Sequence, residues 1–424
     1  MYNINMEWKE ANMEILEIAN KIRQNGGNLY LVGGAIRDKF MNKEVQDEDY
    51  CVVGLSKEKF EELFPNAYKR GKIFGVYDIE GKEFALARKD KKVAKGHKGF
   101  EIETNENIKI EDDLKRRDIT INSIAQNVIT KEIIDPFNGK KDIENKIIRA
   151  TSEKFKEDPL RVYRVARFAS SLNFEVENET IKMMNSLKQE LSTLSKERVF
   201  IEFKKALATT KPSIFFNVLR QANVLDVHFK EVYDLIGQTQ PVEYHPEGDS
   251  YNHTMMVLDK SAELTDNLEI RFSSLVHDLG KGTTPKEILP HHYGHEERGV
   301  ELVEKLGERL NVPHSWIKCG KISAKEHMRG GKFNEMTPAK QVDFITRVDK
   351  SALGLDGLKI VVMCDKNRPG VKMENIVFDK IGKECLNKIN GRYIEEKYNI
   401  KNEKKVADLL RQERIRWIKS NNNY

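Results

Sequence analysis

The sequence predicts an α+β head followed by an all-α remainder. Short runs rich in Val, Ile, Tyr and Phe crowd residues 29 to 128, whereas from about residue 156 apolar residues recur three and four apart. Histidines then divide the helical part. Eight of the ten in the chain, His245, His253, His277, His291, His292, His295, His314 and His327, follow residue 241. A chain of 424 residues exceeds what one hydrophobic core organises. The expected divisions are an N-terminal helix (1–27), a head (28–155), a helical neck and body (156–240), a histidine-rich helical domain (241–375) and a charged helical tail (376–424).

In chain order, residues 5 to 25 show helical spacing and stop at Gly26-Gly27. Strands are expected at Leu29 to Val32, Tyr50 to Val53, Phe74 to Ile79, Glu83 to Ala87 and Ile119 to Val128. Helices are expected at Thr180 to Leu194, Glu197 to Ala208 and Pro212 to Ala222. The polar end, Ser420 to Asn423, reads as frayed.

Composition narrows the class. Charged residues make up 33% against 39% hydrophobic, and no run reaches the roughly 18 apolar residues of a bilayer span. The N-terminus lacks an apolar core with a small-residue cleavage site, so cytoplasmic residence is expected. Four scattered cysteines, Cys51, Cys319, Cys364 and Cys385, suggest neither a disulfide framework nor a zinc knuckle. A net charge of +5 permits a polyanionic partner without demanding one. Lysine-rich runs at Lys89 to Lys98 and Lys401 to Lys405 are candidate phosphate contacts or plain solvated faces.

The head carries the parts for nucleotidyl transfer. In LVGGAIRDKFMNKEVQDEDYCVVG, a glycine pair and an arginine precede two carboxylates, Asp47 and Asp49. Gly33 and Gly34 let backbone approach phosphates, Arg37 adds positive charge, and an Asp-x-Asp pair on a strand turns both side chains to one face, toward divalent metal. The bland alternative is a turn followed by an exposed acidic loop. Further along, Glu157-Asp158-Pro159-Leu160-Arg161 sets Asp158 and Arg161 three apart, on one face if helical. A carboxylate accepting from an exocyclic amine beside a guanidinium donating to a ring nitrogen suits cytosine and adenine, and mismatches guanine and uracil. A surface ion pair at a helix start is the plainer reading of the same spacing.

Seven blocks stand in one order: LVGGAIRD, DED, EFALARKD, EDDLKRRDITINSIA, DPFNGKKDIENKIIRA, EDPLRVYRVARF and ERVFIEFKKAL. Across residues 28 to 230 they resemble the class II tRNA nucleotidyltransferases, the CCA-adding enzymes. The resemblance implies a DNA polymerase beta-like nucleotidyltransferase sheet and Mg2+ held by Asp47 and Asp49. A third carboxylate is expected on a neighbouring strand, where Glu83 fits by position and Asp118 competes. It also implies that Arg117 and Asn122 handle triphosphate and sugar, that Asp158 and Arg161 select the base, and that Arg164 adds a base or phosphate contact. Residues 88 to 99 match the flexible loop of full CCA-adding members. The Gly-Arg-Arg-Phe-like run of bacterial poly(A) polymerases is missing from GKIFGVYDIEGKEFALARKD.

In the histidine-rich segment, IRFSSLVHDLGKGTTP and LPHHYGHEERG resemble the HD phosphohydrolase domain fused to CCA-adding enzymes of the gammaproteobacterial type. This implies metal ligation by His253, His277, Asp278 and a distant aspartate, for which Asp365 is the best candidate. His295 and His327 are candidates for a second metal, and Lys281 for a phosphate contact. The ion is Ni2+, Mn2+ or Mg2+, and the implied activities are 2′,3′-cyclic phosphodiesterase, 2′-nucleotidase and phosphatase.

The leading expectation is CCA addition to the tRNA acceptor arm from CTP and ATP by a monomer or homodimer away from membranes, with the HD activity appended. Its alternatives are an A-adding enzyme or poly(A) polymerase, an HD phosphohydrolase with a non-catalytic RNA-binding head, and a nucleotide-binding regulator.

Overall fold

The computed structural model describes residues 15–45, 47–70, 75–92, 100–243, 245–366, 372–399 and 403–421. The chain divides into two compact units, residues 1–194 and 195–424.

In the first unit, residues 15–24 form a helix that stops at Gly26, where φ is +86°. The part of the expected N-terminal helix before residue 15 lies outside the described residues. The strands are β1 (Asn28–Val32), β2 (Asp49–Val53), β3 (Tyr68–Arg70), β4 (Val76–Ile79), β5 (Lys82–Leu86), β6 (Lys89–Lys92), β7 (Phe100–Glu103), β8 (Ala125–Asn127), β9 (Ile133–Ile134) and a separate parallel pair, β10 (Ile147–Ile148) and β11 (Glu175–Val176). Seven of them form a mixed sheet in the order β3-β4-β5-β2-β1-β8-β9, with β2 and β5 parallel. Alternation sets its faces: Tyr50 stacks on Phe84 across that parallel pair at 5.2 Å, while Cys51 joins Val32, Ala87, Leu114 and Ala125 in the core.

The strand expected over Ile119 to Val128 is shorter. Thr120–Asn122 forms a 3₁₀ turn before β8, because Thr120 and Ser123 turn inward to hydrogen bond Asp142 and the Ile119 carbonyl. β6 lies within the expected flexible loop and pairs antiparallel with β7 just beyond it, and residues 93–99 of that loop lie outside the described residues. The neck follows as the Arg161–Leu172 helix and, in place of one helix over 180 to 194, two shorter ones, Asn178–Ser186 and Lys188–Leu191.

The second unit is helical. Phe203, Phe215, Phe216, Phe229 and Phe272 contact one another edge to face or tilted, which locks the Lys196–Leu207 and Ser213–Gln221 helices against the Leu268–Val276 helix. Phe344, Phe378, Val362 and Ile418 are buried in a second cluster that ties the C-terminal helix Glu403–Ser420 to this unit. The four cysteines are free and buried, as expected without a disulfide framework. Among the described residues no helix is long and apolar enough to cross a membrane.

Candidate functional site

Two constellations form, one in each unit. In the first, sheet register does the positioning. Val32 is paired with Asp49, and Asp49 with Glu83, so the Gly33-Gly34 turn, Asp49 and Glu83 meet at one end of β1, β2 and β5. Asp49 and Glu83 are direct partners on adjacent strands and share a face. Burial and then the Asp49 charge raise the Glu83 carboxyl; burial raises Asp49 too, against the Arg117 charge and with that of Asp47. Arg70 Nη1 lies 3.7 Å from Glu83. Asp47 is exposed just ahead of β2.

Asp118, the competitor for the third carboxylate, has a different environment. It is buried, takes a 2.7 Å bond from Arg164 Nε and accepts from the Ile119 amide. Burial pushes its carboxyl up, but the Arg164 and Arg161 charges outweigh it and hold its pKa at about 2. Asp118 is an anchor for neck arginines, and β-sheet register favours Glu83 beside Asp49.

Gly33 begins the Gly34–Phe40 helix with φ +72°, and a Cβ there would sit 3.1 Å from Arg117 Nη1. Arg37 donates to Asn122 Oδ1 at 2.8 Å and to Asp38, so Gly33, Arg37, Arg117 and Asn122 form one connected patch. Buried Asp113 holds both Arg116 and Arg117, three and four residues on. Sequence reading passed over Asp113, although that spacing was its signal.

Asp158 is not on a helix. It is extended (φ −122°, ψ 108°), and its Oδ1 accepts the Leu160 amide before the helix begins at Arg161. Pro159 lies outside the first turn for the same reason. Arg161 donates to the Lys154 and Arg116 carbonyls at 2.7 and 2.5 Å, so backbone on both sides fixes its guanidinium. Arg37, Arg164 and Arg167 surround the Phe168 ring, with guanidinium carbons 5.5, 5.4 and 3.8 Å from its centroid.

The second constellation is buried. His253 comes from the Ser250–Leu264 helix, His277 caps the Leu268–Val276 helix, Asp278 follows, His295 starts the His295–Leu310 helix, His327 lies in His314–Gly331, and Asp365 ends Gly354–Asp365. Two ligand groups result, each with donor atoms within 4.8 Å: His253, His277 and Asp365, and Asp278, His295 and His327. Asp278 joins them. Its Oδ2 lies 3.2 Å from His277 Nε2 and 3.8 Å from His253 Nε2, and its Oδ1 lies 3.3 and 3.4 Å from His295 and His327. Gly280 makes this convergence possible, since any Cβ there would strike the His295 carbonyl oxygen.

The donor set fits divalent metal. The Nδ1 atoms of His277, His295 and His327 face backbone carbonyls at 2.7, 2.8 and 3.1 Å, which turns each Nε2 inward as an acceptor. His253 Nδ1 meets Glu247 Oε1 at 2.6 Å, a carboxylate–histidine pairing that leaves its Nε2 toward Asp365. Among the described residues His277 Nε2 and Asp278 Oδ1 are buried without a hydrogen-bond partner, while Asp278 Oδ2 and Asp365 Oδ2 face the ammonium groups of Lys281 at 2.6 Å and Lys366 at 3.2 Å, an acceptor-rich cluster that a divalent cation would complete. Burial would raise Asp278 and Asp365, yet Lys281 and the histidines beside the first, and Lys366 and His253 beside the second, hold both carboxyls well below their ordinary range. Glu247 carried no sequence signal, although its second partner His245 belongs to the histidine cluster: both sit in an irregular loop before the His253 helix.

The chain is similar to three known domains in succession. A poly A polymerase head domain matches residues 29–149, a probable RNA and SrmB-binding site of polymerase A matches 173–235, and an HD domain matches 250–350. The multifunctional CCA protein of Pseudoalteromonas atlantica is 42% identical over 328 residues, 76% of this chain and 80% of its own. The chain belongs to the multifunctional CCA protein family. A CCA-adding enzyme in its apo form II shares the fold of this family member at 18% identity and TM-score 0.68, covering 96% of this chain and 91% of its own. The Bacillus stearothermophilus CCA-adding enzyme in complex with CTP shares it at 20% identity and TM-score 0.55, covering 96% and 92%.

Proposed function

We propose that the chain adds CCA to tRNA 3′ ends from CTP and ATP, releasing pyrophosphate, and that its HD domain hydrolyses phosphoesters. The observation that carries the first half is the strand register bringing Asp49, Glu83 and the glycine turn together beside Arg37, Arg117 and Asn122. Asp47 and Asp49, with Glu83, would hold Mg2+, which when bound activates the terminal hydroxyl and neutralises the triphosphate. Arg37 and Arg117 are charged donors for the phosphates, and the Gly33-Gly34 backbone admits them closely. Asn122, held by Arg37, faces the sugar. Asp158 and Arg161 read the base edge; because backbone amides and carbonyls already fix both, little side-chain entropy is lost on binding. Arg164 supports this reader through Asp118. The head and neck bind the acceptor arm, and binding weakens steeply with salt. Cytoplasmic residence suits this substrate.

In the HD domain, His253, His277 and Asp365 would hold one divalent ion, with Asp278 reaching toward a second beside His295 and His327; Ni2+, Mn2+ and Mg2+ are the candidates. Lys281, 2.6 Å from Asp278, supplies a cation beside a phosphate, and 2′,3′-cyclic phosphates and 2′-phosphates at RNA ends are the proposed substrates.

Extension of tRNA transcripts lacking CCA, ending in C, or ending in CC, resolved at single-nucleotide length with labelled CTP or ATP, tests the first half. Growth to a complete CCA end that then stops is expected. Addition of A alone to the CC-ended transcript would mark an A-adding enzyme, and unchecked A-addition a poly(A) polymerase.

A further inference from the structure

A cleft of about 930 Å³ opens over the paired metal-ligand groups, with Lys281, His295 and Asp365 among its lining residues. That volume falls within the roughly 300–1,000 Å³ of sites built for small organic ligands. At its rim stands Tyr293, 73% exposed, its ring stacked on exposed His291 at 5.6 Å and 22°. The backbone beneath this ring is fastened. Arg298 Nη1 bonds the Tyr293 carbonyl at 2.6 Å, and His292 is held between the Thr284 hydroxyl at 2.7 Å and the Thr239 carbonyl at 3.0 Å. A large aromatic side chain is thus kept in water on a braced loop, stacked on a second flat ring, beside a centre suited to phosphoesters.

The same cleft contains a donor without a partner among the described residues. Gln240 is 3% exposed, its Oε1 accepts from Lys281 at 2.6 Å, and its Nε2 has no hydrogen-bond partner among them. Exposed Lys332 and Lys372 line another part of the cleft. One surface therefore carries an aromatic platform, an amide donor and ammonium groups, which match the base and the phosphate of a nucleotide.

We propose that Tyr293 is the base platform of the HD cleft: a nucleotide at an RNA 3′ end stacks its base on Tyr293 while its phosphate meets Gln240 Nε2 and Lys281. This deepens, and rests on, the phosphohydrolase reading of the HD domain. A purine is the preferred base, since it covers more of the ring. Tyr293 is a substrate-binding residue here, and chemistry is left to the buried ligands.

Kinetics of the full chain with adenosine 2′,3′-cyclic phosphate, and with the base-free methyl riboside 2,3-cyclic phosphate, test this. Tyr293→Ala is expected to raise KM for the adenosine substrate on the order of tenfold with kcat nearly unchanged. Tyr293→Phe should restore KM, and the base-free substrate should not distinguish the variants. An unchanged KM in Tyr293→Ala, or an equal rise for both substrates, would overturn the assignment. If the wild-type chain cleaves neither substrate with Mn2+, Ni2+ or Mg2+, the phosphohydrolase reading fails by itself. Calorimetric titration with adenosine 2′-phosphate then decides: binding weakened about tenfold by Tyr293→Ala sustains the platform, and equal or absent binding removes it.

Discussion

The head and the HD centre both gather carboxylates toward divalent metal, but under opposite conditions. Asp47 and Asp49 lie at the open end of a sheet, where partial burial raises Asp49 and Glu83, helped by the Asp47 charge at the first and the Asp49 charge at the second. Asp278 and Asp365 are buried, hemmed by histidines and lysines, and held far below the ordinary carboxylate range. The difference follows from what each must admit. On the proposed function the head would face a triphosphate that carries its own metal and an RNA end, and its open acids would have their charge completed by substrate. The HD centre is made of imidazoles oriented before any substrate arrives, by backbone carbonyls at His277, His295 and His327 and by Glu247 at His253.

The comparison can be sharpened where each region stores its order. In the head unit that is Asp118. Asp118→Asn should destabilise the head and neck by about 3 kcal/mol, because it removes the buried carboxylate charge that Arg164 bonds and Arg161 faces, and it should weaken C and A discrimination in single-nucleotide incorporation. Its folded pKa, about 2, lies below the unfolded value. The stability it supplies is therefore complete above pH 4 or so and lost as pH falls toward 2, and thermal melts of Asp118→Asn should show a shallower acid limb than wild type. An unchanged acid limb would mean that the anchor carries little energy.

In the HD unit the order lies one step behind the ligands, at Glu247. Glu247→Gln keeps the shape but removes the charge facing His253 Nδ1, and metal affinity should fall about 10–100-fold by competition with a chelating dye. Nucleotide incorporation by the same variant should stay at wild-type level. A loss there would mean that the two regions are not independent.

What the sequence made legible follows the same divide. Blocks with fixed spacing, such as Asp47-x-Asp49 and His277-Asp278, were readable because their members are chain neighbours, although only Asp49 of the first pair lies on a strand, β2 beginning there, so the expected shared strand face does not include Asp47. Asp365, far from them in the chain, was readable through the family resemblance. Glu83 and Asp118 could not be separated before strand register was known, since only pairing of β2 with β5 puts Glu83 opposite Asp49. The helical placement of Asp158 failed because its own carboxylate caps Leu160 and holds it extended, a local competition that spacing does not reveal. Glu247 and Gln240 act from irregular backbone, where no periodicity announces them. The fold class was the easiest part, because a change from strand-like runs to helical spacing is a property of long segments rather than of single residues.

The most direct test of the two-centre account measures both activities in two variants of the full chain, Asp49→Ala and Asp278→Ala, with folding checked by circular dichroism. Asp49→Ala is expected to lose CCA addition by at least about a thousandfold while hydrolysing 2′,3′-cyclic phosphate like wild type. Asp278→Ala is expected to do the reverse. Loss of both activities from either folded variant, or retention of CCA addition by Asp49→Ala, would contradict the assignment of one chemistry to each unit.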